Sequence, residues 1–206
     1  APAASRTYKK GLEWVLSTVR FPIINTRLTV TGAWFRTEYH NSQPIMYKPS
    51  RTIGGEPLEI VGIYKDDDGF IREMVNTNFT FDTTIPKLKL GFSLSAQCVW
   101  LTAEQSMRKE NAPLKYMDTN GNIHPYTEAD AHDTYLQHLV RTYTDGMFRR
   151  QTVPFSMDLN LKATKKLFNN RLMVALFVNK LWDIHPDYER NSFVVRRYVT
   201  PYFGLE

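Results

Sequence analysis

From Pro154 to Asp183 the chain reads PFSMDLNLKATKKLFNNRLMVALFVNKLWD, a segment that alternates strictly, turns, and comes back far more apolar. Phe155, Met157, Leu159 and Leu161 fall on one side of an extended backbone, and Ser156, Asp158, Asn160 and Lys162 on the other. A period of two belongs to a β-strand with unlike surroundings on its faces, since successive side chains of a strand point to opposite sides. Asn169-Asn170 offers residues that tolerate left-handed backbone, so the two halves read as a hairpin. The returning RLMVALFV is expected where protein also covers the second face.

The same period recurs along the chain and predicts seven strands: Tyr8–Arg20, Arg27–His40, Phe70–Thr84, Leu88–Thr102, Val153–Leu167, Arg171–Asp183 and Phe193–Leu205. All are far longer than the about five or six residues of an ordinary globular strand. A tilted strand crossing a bilayer needs about 9–11 residues, so length alone gives these segments the reach of membrane strands. Their connections alternate. FPIINT, Ile85-Pro86-Lys87 and Phe168-Asn169-Asn170 are tight turns, whereas Asn41 to Gly69, Ala103 to Thr152 and Ile184 to Ser192 are longer links. Outer-membrane barrels combine short periplasmic turns with long outer loops in this way. The fold expected is all-β, a long antiparallel meander forming part of a transmembrane barrel wall.

Face by face, Leu88, Leu90, Phe92, Leu94, Ala96, Cys98 and Trp100 oppose Lys89, Gly91, Ser93, Ser95 and Gln97, while Val75, Phe79 and Phe81 oppose Asn76, Asn78, Thr80 and Asp82. A soluble sandwich produces the same stripes, so alternation alone does not select a membrane. Strand length, the alternation of links and the aromatics together favour it. Aromatic residues make up 13 % of the chain, and Trp14, Trp34, Trp100, Trp182, Tyr198 and Tyr202 are placed near strand ends, as a headgroup-level girdle would be. No run approaches the about 18 apolar residues of a membrane helix, so any crossing is by strands.

Within the longest link, Asp118-Thr119-Asn120-Gly121 predicts a hairpin tip. Thr127 is expected to cap a short helix in which Leu136, Leu139, Val140 and Tyr143 recur at helical spacing. A net charge of +5 comes from scattered Lys and Arg among 21 acidic residues, with no basic stripe to hold nucleic acid. The single cysteine, Cys98, excludes an internal disulfide and a multi-cysteine zinc site. APAASRTYKK has no apolar core and is not read as a signal peptide.

Catalytic constellations are lacking. His40, His124, His132, His138 and His185 are dispersed, and the six-residue interval from His132 to His138 does not put both on one helical face. Glu128 and Asp130 beside them lack structural zinc spacing, and the Asp118 stretch departs from a calcium loop, having Ile123 at the sixth position and Ala129 at the twelfth. Asp66-Asp67-Asp68-Gly69 reads as a solvated acidic turn, and Ser156 has no nucleophile-elbow context. No cofactor, metal or enzymatic activity is expected.

TYKKGLEWVLSTVRFPIINTRLTVTGAWFRTEY, NTNFTFDTTIPKLKLGFSLSAQCVWLT, TNGNIHPYTEADAHDTYLQHLVRTY and VPFSMDLNLKATKKLFNNRLMVALFVNKLWDIHPDYERN, with RRYVTPYFGLE at the end, resemble the C-terminal barrel portion of a TonB-dependent outer-membrane receptor of the Bacteroidetes type. The resemblance covers nearly the whole chain and rests on the order of these pieces. It implies a barrel of about 22 strands with a plugged lumen, in the bacterial outer membrane, energised through TonB and taking up bulky nutrients. The implied partners are outer-membrane lipid, the rest of the barrel and plug, TonB through that plug, and a surface lipoprotein. Seven strands cannot close such a barrel, and the sequence contains neither plug nor TonB-recognition segment. A fragment, a subdomain or one piece of a split receptor is therefore expected, its last strand clipped near Glu206.

On that reading Asn76, Asn78, Ser93, Ser95, Gln97, Asp158 and Asn160 face a polar lumen, and Tyr116, His124, Tyr126, Tyr135 and His138 in the outer loops are candidate ligand contacts. The rival reading is a soluble β domain that binds a ligand or protein through its long loops.

Overall fold

The computed structural model describes residues 5–41, 43–65, 69–107, 111–142, 146, 148–190 and 193–205. In chain order the strands are β1 (Ser5–Ser17), β2 (Thr26–Asn41), β3 (Ile45–Tyr47), β4 (Thr52–Ile53), β5 (Glu56–Pro57), β6 (Val61–Tyr64), β7 (Phe70–Ile85) and β8 (Leu90–Ser106). They continue with β9 (Lys115–Met117), β10 (Ile123–Pro125), β11 (Gln151–Val153), β12 (Ser156–Leu167), β13 (Leu172–Ile184), β14 (Tyr188–Arg190), β15 (Phe193–Val195) and β16 (Tyr202–Leu205). Among the described residues no helix reaches 7 residues, and none is long and apolar enough to cross a membrane. Two compact units can be distinguished: Ala1–Tyr8, Thr37–Ile71 and Glu104–Arg150 form the first, and Lys9–Arg36, Arg72–Ala103 and Gln151–Glu206 the second.

The long strands form one antiparallel sheet in the order β1-β2-β7-β8-β12-β13-β16, with β11 paired to β8. The sheet is open, with β1 and β16 at its edges. Its register matches like with like. Residues directly opposed across an antiparallel pair share a face, and Cys98, Ala96, Leu94 and Phe92 of β8 stand opposite Met157, Leu159, Leu161 and Ala163 of β12. On the reverse face Gln97 meets Asp158, Ser95 meets Asn160 and Ser93 meets Lys162. The apolar face continues through Val178 and Leu176 of β13, opposite Leu161 and Ala163, to Phe203 and Leu205 of β16. On the other side, the Trp100 indole N–H donates to Thr77 Oγ1 at 3.1 Å, which puts Thr77 on the apolar face. Alternation then turns Asn76 and Asn78 toward the polar one.

Among the described residues of the second unit, none forms a layer over the apolar face. The buried apolar side chains among its described residues are Cys98, Ala103 and Ala175, all small. Phe203 and Leu205 are 71 % and 73 % exposed, and Leu176 is half exposed. A sandwich would lay a second sheet about 10 Å away and bury these groups; this sheet is a single layer.

Turn chemistry fixes where the strands reverse. Phe168, Asn169 and Asn170 all have positive φ (48°, 56° and 70°), and the Arg171 N–H closes the turn on the Phe168 carbonyl. Between β7 and β8 a one-turn 3-10 segment, Pro86–Leu88, ends on left-handed Lys89. Between β1 and β2, Arg20 Nη1 donates to the Asn25 and Asp82 carbonyls, tying that turn to the end of β7. The β12–β13 ladder is interrupted once. The partner of Leu159 is Trp182 and that of Leu161 is Val178, so β13 carries extra residues there, with Lys180 left-handed (φ 55°). The Lys180 N–H released by this bulge donates to Asn160 Oδ1 at 2.9 Å. The apolar return strand spends one of its reverse-face groups on its neighbour, since the Phe177 ring lies where a side chain at Gly204 would stand. Trp14 covers Gly32 in the same way.

In the first unit the two long links fold together. The four-stranded sheet β10-β9-β6-β3 takes β3 and β6 from one link and β9 and β10 from the other, with Val61 opposite Met117 and Ile45 opposite Tyr64. Leu58, Ile63, Tyr64, Leu136 and Leu139 are buried in this unit, and the Tyr64 hydroxyl donates to the Leu139 carbonyl.

The structure departs from the sequence expectation in several places: the expected strand Val153–Leu167 is divided into β11 and β12 at Pro154-Phe155, and Leu88 belongs to the 3-10 turn that precedes β8. The stretch after Thr127 forms two single 3-10 turns, Ala129–His132 and Leu136–Leu139, in place of one helix; Tyr143, the end of the expected helical stripe, lies outside the described residues. The segment expected as a seventh strand is divided into β15 and β16, while β14 and β15 form a separate hairpin. The first strand begins at Ser5 and ends at Ser17, three residues short of the expected Arg20.

Replacing Asn160 by Ala leaves the Lys180 N–H without an acceptor, a loss of about 1–3 kcal/mol when such a group is sheltered from water. Amide exchange at Lys180 is expected to accelerate in Asn160→Ala and to stay slow in Asn160→Asp, which keeps the oxygen. Equal exchange in the two variants would show that another interaction holds the bulge.

Candidate functional site

The loop residues singled out from sequence all lie in the first unit. Tyr116 on β9 and His124 on β10 face each other across the hairpin, rings stacked with centroids 5.2 Å apart, and Tyr126 meets Tyr116 edge-on at 6.5 Å. The tip is built by Asp118. Its carboxylate accepts the backbone N–H groups of Asn120 and Asn122 at 2.9 and 2.8 Å, the Asn122 side-chain amide at 3.2 Å and His124 Nε2 at 3.0 Å. Gly121 completes the turn with φ 84°, which its lack of a side chain permits. Hydrogen bonds from His124 and the Asn122 N–H hold the Asp118 carboxyl at about 2. With both oxygens occupied by the chain itself, Asp118 is an organiser of the loop.

The next stretch is shaped by two more aspartates. Asp130 accepts the Thr127 N–H and hydroxyl at 2.6 and 2.8 Å, so the threonine is the capped partner and Asp130 the cap. Asp133 accepts the N–H groups of Tyr135 and Leu136, which lower its carboxyl below the usual range. Burial raises the phenols of Tyr116 and Tyr126, and the charges of Asp130 and Asp133 raise them further. Both therefore stay protonated near neutral pH and act as hydrogen-bond donors; Tyr126 gives its proton to the Leu136 carbonyl at 3.4 Å. Asp130 is thus committed to Thr127, and no group of three or more His, Cys, Asp or Glu suited to a metal occurs among the described residues. The Asp66-Asp67-Asp68 turn lies outside the described residues.

A cavity of about 520 Å³ opens beside the second 3-10 turn, lined by His138, Tyr47, Arg51 and Arg141 among others. The Arg141 guanidinium lies 4.0 Å from the Tyr64 ring centroid and 4.7 Å from that of Tyr47. A cation seated against two aromatic rings is held in orientation as well as attracted. Tyr47, Arg51 and Arg141 were not singled out from the sequence, because two of them come from one link, the third from the other, and no local pattern connects them. His138 belongs to this cavity, whereas Tyr116, His124 and Tyr126 form the hairpin cluster. Tyr135 is half exposed, and its backbone carbonyl accepts the His138 N–H at 3.3 Å within the second 3-10 turn. The arrangement suits a polar or anionic ligand bearing a flat face, met by guanidinium, imidazole and phenol ring.

The polar-face residues of the second unit divide by use. Asn160 is engaged at the bulge and Asp158 accepts from His185 Nε2 at 2.9 Å. Asn76, Asn78, Ser93, Ser95 and Gln97 share that face. Of the girdle candidates, Trp100 and Trp182 are 50 % and 62 % exposed, and Tyr198 and Tyr202 are exposed as well. Trp34 is half-buried, its indole N–H on Glu73 Oε1 at 2.9 Å, and Trp14 is half-buried over Gly32. No family model, curated protein or solved structure matches this chain.

The depressed Asp118 carboxyl fixes a pH dependence. Its contribution to loop order is complete above the unfolded value of about 3.9 and is lost as pH falls through about 2. The Asn120 and Asn122 amide resonances are expected to hold below pH 4 and to move together with a midpoint of about 2. A midpoint at the free carboxylate's value would show that these hydrogen bonds do not persist in solution.

Proposed function

We propose that this chain is a C-terminal barrel-wall segment of a TonB-dependent receptor in the bacterial outer membrane, part of a conduit for bulky nutrients and without enzymatic activity of its own. The observation that carries the reading is the uncovered apolar face of a single-layer sheet. Leu90 to Trp100 spans about 33 Å along β8 at the usual rise per residue, which at a tilt of about 40° reaches about 25 Å, the height of the apolar band of an outer-membrane barrel. Hydrocarbon is the solvent such a face needs, and water the one that suits Ser93, Ser95, Gln97, Asn76 and Asn78 on its reverse. The open edges at β1 and β16 suit further wall strands of the same barrel, because unpaired backbone groups inside a bilayer must be satisfied by neighbouring strands.

On this reading the partners are lipid, the remaining wall and plug, TonB acting through that plug, and a surface lipoprotein over the outer loops. The paired links of the first unit are then the outer loops, with the cavity at His138 and Arg141 as a ligand contact. A soluble β domain is the second reading, favoured by the first unit's own buried cluster of Leu58, Ile63, Tyr64, Leu136 and Leu139. It predicts a monodisperse chain in plain buffer, whereas the membrane reading predicts aggregation without detergent.

The direct test is flotation of the chain with phospholipid vesicles. Leu94→Arg and Leu159→Arg, on the apolar face, are expected to weaken membrane insertion by about 2–4 kcal/mol, with Ser95→Arg and Gln97→Arg on the reverse face milder. Equal losses on the two faces, or a wild-type chain that stays soluble and does not float, would overturn the proposal.

A further inference from the structure

Beyond β13 the polar face carries a chain of three groups that the conduit reading does not use. Asp158 Oδ1 lies 2.9 Å from His185 Nε2, and the opposite ring nitrogen, Nδ1, lies 3.4 Å from Arg197 Nη1. Arginine only donates, so Nδ1 accepts; Nε2 then carries the proton given to Asp158. Arg197 also lies over the Tyr188 ring, 5.3 Å from its centroid. Two direct contacts therefore fix the plane and direction of one guanidinium, and Asp158 fixes the imidazole that makes one of them.

What this guanidinium lacks decides the inference. Its Nε and Nη2 are both buried and have no hydrogen-bond partner among the described residues. These two nitrogens bound the same edge of the guanidinium, and their N–H bonds run nearly parallel, the geometry that grips both oxygens of one carboxylate. Among the described residues, Asp158 is turned to His185, and Asp187 to Arg196 at 3.4 Å. Arginine does not shed its proton, so its charge is retained in a sheltered place with two donors unmet, an arrangement that strongly favours an arriving anion.

We infer that Arg197, aligned by His185 and Tyr188, forms a receptor site for a single carboxylate. One guanidinium balances one negative charge, which fits a carboxylate better than a phosphate dianion. The neighbouring cations are directed away, Arg190 Nε to Gln151 Oε1 at 2.7 Å and Arg196 to Asp187. The carboxylate can come from a solute or from an acidic side chain of a polypeptide lying against this face; the fork is the same for both.

The test follows the Arg197 side-chain Nε–H resonance of the full chain in detergent during titration with acetate, with a capped Gly-Asp-Gly peptide whose only carboxylate is its side chain, and with inorganic phosphate. Acetate and the peptide are expected to shift this resonance saturably, phosphate much less. Tighter binding of the peptide would identify a protein side chain as the source, and equal binding a solute. Arg197→Lys, which keeps the charge without the fork, is expected to abolish the acetate-dependent shifts at Tyr188 and His185 while leaving the remaining amide spectrum in place. An Arg197 resonance that neither carboxylate moves would overturn the inference, as would an equal response to phosphate.

Discussion

The whole sheet depends on register. In β8 and β12 every apolar residue from Phe92 to Cys98 meets an apolar partner, and the polar residues between them meet polar or charged ones. Sliding one strand by a single residue would set Leu94 against Lys162 or Asn160 and mix the faces along the ladder. A single-layer sheet has no second sheet to enforce this match, so the turns and the bulge must do it. The left-handed run Phe168 to Asn170 fixes the phase of the β12–β13 hairpin from one end, and Asn160 holding the Lys180 N–H fixes it within the strands.

The first unit solves a different problem. A link of this length costs conformational entropy and normally runs over a surface as irregular chain. Here each link contributes strands that the other completes, so backbone groups that neither could satisfy alone are paired across β6 and β9. Leu136 and Leu139 then bury against the same unit, and the Tyr64 hydroxyl satisfies the Leu139 carbonyl. Such co-folding gives His138 and Arg141 a defined position on segments that would otherwise wander, which any binding role for the links requires.

Period and punctuation made most of the large sheet legible in the sequence. Alternation over Leu88 to Trp100 and Phe155 to Leu161 located the strands and their faces, Asn169-Asn170 located one turn, and Asp118-Thr119-Asn120-Gly121 located the β9–β10 tip. Helical spacing of Leu136, Leu139 and Val140 misled, because Asp130 and Asp133 offer their carboxylates to nearby N–H groups and close the backbone into separate short turns. That competition is local, and aspartate is known for it. The rest depends on contacts between residues far apart in the chain: β6 with β9, Tyr47 with Arg141, Asp158 with His185. A period in one segment carries no information about which distant segment supplies its partner.

The polar stripe shows why alternation cannot by itself assign roles. Ser93, Ser95, Gln97, Asn76 and Asn78 make no side-chain hydrogen bond among the described residues. Asn160 and Asp158 stand on the same face with the same spacing, yet one holds a bulge and the other orients an imidazole. The difference follows from position. β8 keeps an unbroken ladder with β12, whereas β13 departs from regularity at Lys180 and ends at Ile184, and each departure leaves backbone or side-chain groups that need partners. Polar residues of β12 are the nearest donors and acceptors, and they are drawn into structure. The same irregular end brings Arg197 beside His185 with its Nε and Nη2 buried and unpaired among the described residues, so the part of the sheet with the least regular backbone also holds an unmatched guanidinium.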